Sequence, residues 1–267
     1  LELLQAAEES GANYLFEASV GGGIPIIRPL CQCLAANYIE GIAGILNGTT
    51  NFILTMMIEE GMSFEEALKI AQEKGYAEKD PTADVEGHDA CRKVCILASL
   101  AFGKHVYPNQ VETEGITNIS LEDVSYIENA GGVIKLLGQI KYINDNEIAA
   151  FVSPAVVYNG SQLASVKDVF NAILVRGDAV GDVCFYGPGA GKLPTASAVV
   201  ADIIDCAKHS DRKKIFGWGE GSENYVVDYK EKIEMPFYVR AKATPNEVNS
   251  KFADVKFLSR KGQPSDE

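Results

Sequence analysis

Residues 133–158 read VIKLLGQIKYINDNEIAAFVSPAVVY. Two runs rich in Val, Ile and aromatic residues flank the turn residues NDN, so the stretch reads as two successive strands. Two more strands follow, VFNAILVRG (169–177) and GDVCFYG (181–187), set off by NGSQ (159–162) and GDAV (177–180). Short turns between sequential strands favour antiparallel pairing. On the other side, LEDVSYIENAGG (121–132) reads as a helix ended by a glycine break. Helices gather early in the chain and strands late, which points to an α+β fold with a mixed, largely antiparallel sheet and helices on one face.

The early half supplies the helices. Leu1, Leu4 and Ala7 give a short amphipathic helix broken at Gly11, and ANYLFEASV (12–20) reads as a strand buried on both faces. GGGIP (21–25) is a glycine turn, and IIRPLCQCLAAN (26–37) has helical periodicity. YIEGIAGILNG (38–48) reads as a strand, and TTNFILTMMIEEG (49–61) as a helix with Thr49 or Thr50 as cap. Ser63 and Glu66 form a capping box for SFEEALKIAQEKG (63–75). Pro81 prevents helix before it, and Asp84 is a natural N-cap for a helix over about 85–102. GPGAGKLPTASAVVADIIDCAKH (187–209) is a glycine-rich turn followed by an apolar helix with Pro194 in its first turn.

Composition narrows the class. The chain has 267 residues, of which 46% are apolar, and carries 37 acids against 24 bases for a formal charge of −13. That balance, with no Lys/Arg-rich stripe, argues against nucleic acid as a partner, and RKK at 212–214 reads as a solvated turn. No run of eighteen apolar residues suggests a membrane span, and no leader is evident, so a cytoplasmic protein is expected. Cys91 and Cys95 stand four apart in an apolar helix and read as small hydrophobes. With three histidines and no clustered Cys/His pairs, a zinc site is not expected.

The chemistry concentrates in GYAEKDPTADVEGHDACRK (75–93). On a helix, Asp89 and Lys93 share a face with the acid N-terminal. An exposed pair of this kind is worth ~0.2–0.5 kcal/mol and needs no function. From Val94 to Phe102, however, only Ser99 is polar, which makes Lys93 the last charge before a buried segment. Desolvation disfavours an ammonium there and Asp89 favours it, a balance suited to a lysine that gives and retakes a proton. Glu78, Asp80 and Asp84 lie ahead of the helix, where acids either serve the helix dipole or hold a cationic ligand group; composition leaves both readings open.

Four segments, EASVGGGIPII (17–27), GILNGTTNFILT (44–55), GYAEKDPTADVEGHDACRK and GPGAGKLPTASAVVAD (187–202), together resemble the homoserine dehydrogenase family. The resemblance implies interconversion of L-homoserine and aspartate 4-semialdehyde with NAD or NADP, in threonine, methionine and isoleucine biosynthesis. By that resemblance Lys93 matches the catalytic lysine that protonates the aldehyde oxygen, with Asp89 beside it. Glu78 matches the glutamate for the substrate's amino group, Asp84 lines the same pocket, and Gly75, Tyr76 and Thr49 are further substrate-side residues. Asn47, Gly48 and Thr50 are secondary candidates. EASVGGGIP matches a monovalent-cation site, usually sodium, which falls on Glu17, Val20, Gly22 and Ile24. Gly187 and Gly189 match a turn near the cofactor. A homodimer is implied as well.

Some of that pattern lies outside the sequence. A dinucleotide fold needs a strand, GxGxxG and helix with an acid about twenty residues on, and nothing like it precedes residue 17. The chain therefore reads as a piece of a longer protein: a nucleotide-domain remnant at 1–16, a substrate, catalytic and dimerisation domain at 17–186, a segment returning to a Rossmann-type domain at 187–210, and an extension at 211–267. In that extension MPFYVRAKATPNEVN (235–249) could open an ACT-type regulatory strand, which the remaining residues are too few to complete. On this reading the chain alone has little activity, and the rivals are a related aldehyde-reducing enzyme of another pathway and a non-catalytic amino-acid-binding or dimerisation module.

Overall fold

A computed structural model describes residues 1–209 and 212–260. In chain order the main elements are α1 (Glu2–Ser10), β1 (Ile39–Ile45), α2 (Gly48–Glu60), α3 (Phe64–Glu73), α4 (Thr82–Val85), α5 (His88–Phe102), β2 (Glu112–Thr113), α6 (Leu121–Asn129), β3 (Gly132–Asn144), β4 (Glu147–Tyr158), β5 (Phe170–Gly177), β6 (Gly181–Pro188) and α7 (Lys192–Lys208). Two short helices, α8 (Tyr229–Lys232) and α9 (Pro245–Asn249), follow.

The strands form one six-stranded sheet in the order β2-β4-β3-β1-β5-β6. Its β3–β4 hairpin turns between Asn144 and Glu147, shifts register between Asn144 and Tyr142, and from there runs unbroken to Gly132 opposite Tyr158. All pairings are antiparallel except the two-residue β2–β4 pair. The α+β expectation is met, and side-chain alternation explains the layers. Ile42, Ile134, Leu136, Ile140, Ile148, Ala150, Val152, Ile173 and Val175 face one way, into a core completed by α2 and α5. Residues one position out of phase face the other way. Ile45, Leu137, Val157 and Ala172 lie under Leu163 and Val166 of the β4–β5 connection, while Ala149 and Phe151 lie under Tyr229. Helices therefore cover one face, and a loop and the chain's tail cover much of the other. No helix among the described residues is long and apolar enough to cross a membrane.

Several local expectations change. Residues 12–16 form no strand, and Glu17–Ser19 make a 3₁₀ turn. No described strand pairs with this segment. Asn13 instead bonds Arg212 O and Lys214 N, and Phe16 packs on Phe216 and Trp218. The helix expected over 26–37 shrinks to a short run with a π turn at Pro29–Cys33. Asn47, not Thr49 or Thr50, caps α2. Asp84 does not cap a helix over 85–102: it lies inside the one-turn α4, and Gly87 at φ 81° breaks the chain before α5 starts. Asp80 receives Thr82 N and Thr82 Oγ1 at the start of that turn.

Residues 235–249 form no ACT-type strand. The tail instead bonds β4 through Ile148 N to Tyr225 O and Val227 N to Ile148 O, and stacks Tyr229 on Phe151 at 3.9 Å. Farther along, Tyr238 donates to the buried Asp123 of α6. The RKK segment is only partly a solvated turn, since Lys214 pairs with Asp205 of α7 at 2.7 Å.

Candidate active site

Helix α5 reaches the sheet over Gly138. A Cβ there would stand 2.5 Å from Val94 Cγ2 and 2.7 Å from Leu46 Cδ1, so only glycine lets α5 and the end of β1 come this close. The approach puts Lys93 against the chain leaving β1. Its Nζ donates to Leu46 O at 2.8 Å and to Asp89 Oδ2 at 2.6 Å. The side chains of Lys93 and Asp89 are 19% and 31% exposed, and Val94 is fully buried. A charge that also spends a donor on a buried-side backbone carbonyl is more than a solvated surface pair.

Asn47 continues the cluster. Its Nδ2 donates to Asp84 Oδ1 at 2.7 Å and to Asp89 Oδ2 at 2.9 Å, while its Oδ1 accepts from Thr50 N at 2.9 Å. Next to it, the Thr49 hydroxyl donates to Tyr76 O at 2.7 Å. That bond ties the N-terminus of α2 to the loop opened by Gly75, whose φ of 73° suits glycine. Tyr76 is half in solvent and meets Phe52 edge-on. Glu78 belongs to the same loop; its backbone carbonyl accepts from Gln72, and its carboxylate is exposed. Among the sequence candidates, Lys93 and Asp89 thus meet directly, and Asp84 joins them through Asn47. Thr49, Tyr76 and Gly75 adjoin them, and Glu78 stands outside their hydrogen bonds.

The glycine segments meet at a second place. A Cβ on Gly22 would lie 2.3 Å from Gly189 O, one on Gly189 would lie 2.1 Å from Asn171 Cγ, and one on Gly187 would lie 3.3 Å from Ile24 Cγ1. GGGIP and GPGAG therefore pack backbone to backbone, with Gly23 N donating to Pro188 O. Glu17, 4% exposed, anchors this junction: its Oε1 accepts from Ile26 N and Ile27 N, and its Oε2 from Arg28 N. Asp202 of α7 accepts from Glu17 N and pairs with Arg28 at 2.6 Å. Burial, with the Glu17 carboxylate adding to it, pushes the nearby Cys31 thiol up to about 11.

Unsatisfied oxygens collect at this junction. Val20, Gly22 and Ile24 are buried, and no hydrogen bond among the described residues ends on their carbonyl oxygens. The buried Asn171 Oδ1 likewise has no partner among the described residues. Buried carbonyls are paired as a rule, and hard cations take such oxygens. Carbonyl oxygens such as those of Val20, Gly22 and Ile24 are the kind of donor a monovalent cation takes, whereas the Glu17 carboxylate already accepts from three amides.

Strand register relates the two places. Ile45 pairs with Ala172 and Asn171 pairs with Gly187, so Leu46–Asn47 and the GPGAG turn share one end of the sheet. Two strand spacings separate them, roughly 10 Å. The Leu46 carbonyl, the bridging Asn47 amide, Asp202 and Asn171 were not legible as site residues, apart from Asn47 as a secondary candidate. The hydrogen bonds that place Leu46, Asn47 and Asp202 join positions 37 to 185 residues apart.

A homoserine dehydrogenase family model matches residues 25–204. The homoserine dehydrogenase of Synechocystis sp. is 50% identical over 207 residues, which are 76% of this chain and 48% of that protein. A solved homoserine dehydrogenase from Thiobacillus denitrificans superposes with a TM-score of 0.78 at 43% identity, over 85% of this chain and 54% of that one. A hyperthermophilic archaeal homoserine dehydrogenase mutant in complex with NADPH superposes at 0.66 and 32% identity, over 78% of this chain and 59% of that one. The chain spans about half the length of the curated relatives it matches.

Proposed function

Because the chain belongs to the homoserine dehydrogenase family, we propose that it is the substrate-binding and catalytic part of an NAD(P)-dependent oxidoreductase interconverting L-homoserine and L-aspartate 4-semialdehyde. The observation that carries this reading is the Lys93 ammonium, held by Leu46 O and Asp89 at the sheet end. An ammonium has three N–H donors, and two are used here. The third is available to the substrate's carbonyl oxygen. Lys93 gives that oxygen a proton as it gains charge in reduction, and takes the proton back in oxidation. Its charge also stabilises the developing alkoxide. When bound, the dinucleotide supplies or accepts the hydride, and Gly187 and Gly189 offer a backbone approach to it.

Asp84, Asp89 and the exposed Glu78 hold the substrate's ammonium group. A sodium-like cation at the Val20, Gly22 and Ile24 carbonyls fixes the junction between the two glycine segments. Helix α7 presents Leu193, Val199, Val200, Ile203 and Ile204 to solvent, a stripe expected of a helix that docks on a nucleotide-binding layer. The division of labour at 1–16, 17–186, 187–210 and 211–267 is part of the proposal. Self-association as a homodimer in the cytoplasm, with no nucleic-acid partner, completes it.

Titrating L-homoserine into ¹⁵N-labelled protein tests the reading. Shifts are expected at Thr49, Glu78, Asp84 and Lys93, and not with L-valine. Equal responses to both amino acids would favour a general amino-acid-binding module. In a steady-state assay with NADP, the 267-residue chain alone should reduce little cofactor.

A further inference from the structure

We infer that Asn47 is a positioning residue whose amide keeps Asp84 away from Lys93, so that one N–H of the lysine stays free for the substrate; this rests on the proposed role of Lys93. The amide is used on both sides. Its oxygen accepts from Thr50 N at 2.9 Å and from the Thr50 hydroxyl at 3.1 Å, and its nitrogen donates to Asp84 Oδ1 and Asp89 Oδ2. A backbone N–H can only donate and a carboxylate offers acceptors, so the partners fix which way the amide points. Asn47 is 6% exposed, which leaves it little room to turn.

The bonding around Asp89 shows what that orientation does. Its Oδ2 receives both Lys93 Nζ and Asn47 Nδ2, and no bond among the described residues ends on Asp89 Oδ1 or Asp84 Oδ2. Two carboxylates beside one ammonium would otherwise both draw on it, because charge-assisted bonds are the strongest available. With Asn47 donating to Asp84, the lysine is engaged by Asp89 and Leu46 O alone. The two open carboxylate oxygens and the third N–H then face a ligand that carries both an ammonium and a carbonyl oxygen, as an amino-acid semialdehyde does.

The cap and the bridge can be separated. Serine is as good an N-cap as asparagine, but its hydroxyl is too short to reach both carboxylates while accepting from Thr50 N. In Asn47→Ser the cap survives and the bridge is lost. We expect the ¹H–¹⁵N signal of the Lys93 ammonium, protected in the wild type by its two acceptors, to shift or vanish in Asn47→Ser, with the thermal midpoint close to wild type. Asn47→Ala loses both cap and bridge and should also lower the midpoint. If Asn47→Ser fails to fold, Asn47→Asp keeps the cap oxygen and the shape while removing the donor, and should move the same signal. In a complete enzyme containing this chain, kcat for homoserine oxidation should fall at least about tenfold in Asn47→Ser, with KM within about threefold. A Lys93 signal unmoved in the folded variants would make Asn47 a cap only and overturn the inference. Failure of homoserine to bind would count against the proposed function without altering this result.

Discussion

Among the described residues, Lys135 is the lysine that the fold takes furthest out of water. It lies on the second face of β3, 2% exposed, and donates to Asn51 Oδ1 and Val166 O. Asn51 in turn donates to the carbonyls of Val166, Asp168 and Phe170, and the Thr55 hydroxyl receives Asp168 N. This polar knot pins the β4–β5 connection to α2. Burial pulls the Lys135 ammonium down to about 8, opposed by Glu59 and Asp168 and aided by Lys167. Below that pH, folded and unfolded chains both hold the proton. Between it and the ordinary lysine value of 10.5, only the unfolded chain holds it fully, so this group makes stability rise with pH across the window. Urea unfolding of wild type and Lys135→Met should show a stability difference that shifts toward wild type by ~2–3 kcal/mol from the low to the high end of that window. A difference that stays constant would mean that Lys135 is not desolvated. Sequence gave little sign of this, because a lysine in a strand reads as solvent-facing until the covering loop is known. The Asp89–Lys93 pair was legible, since both residues sit on one helix.

At the level of elements, local signals served best where an element carries its own instructions. The Ser63–Glu66 capping box starts α3 as expected, and the four late strands fall where their turns set them. Elements that depend on distant partners depart from their local pattern. Residues 12–20 have strand-forming composition but no ladder partner among the described residues, and a strand needs one to satisfy its backbone. Asp84 carries the local pattern of a cap because the break at Gly87 depends on a left-handed turn, to which helical periodicity is blind. The glycine junction is the element-scale feature most open to test. Gly189→Ala puts a methyl 2.1 Å from Asn171 Cγ, whereas nothing lies within 4 Å of a methyl at Gly160, which has no positive φ. We expect Gly189→Ala to cost roughly 2–4 kcal/mol in denaturant unfolding and Gly160→Ala about 0.5 kcal/mol or less. Equal costs would show that the two glycine segments do not pack as described.

For the molecule as a whole, one sheet organises both candidate sites. The antiparallel order brings the exits of β1 and β6 to the same end, so a site built from residues 47, 84, 89 and 93 faces a turn near residue 189. The α+β class could be read from the order of the patterns along the chain. The strand order could not, because β1 inserts between β3 and β5 although α2 to α6 separate it from both in sequence. The tail over β4 was illegible for a similar reason: its contacts, such as Tyr229 on Phe151, depend on a surface assembled elsewhere. The central claim is that Lys93 carries the proton in homoserine oxidation. It is tested most directly by cofactor reduction with L-homoserine in a complete enzyme containing this chain, comparing wild type with Lys93→Ala at matched folded content by circular dichroism. The account predicts a fall in kcat of at least about a hundredfold; an unchanged kcat would contradict it and return Lys93 to a structural ion pair.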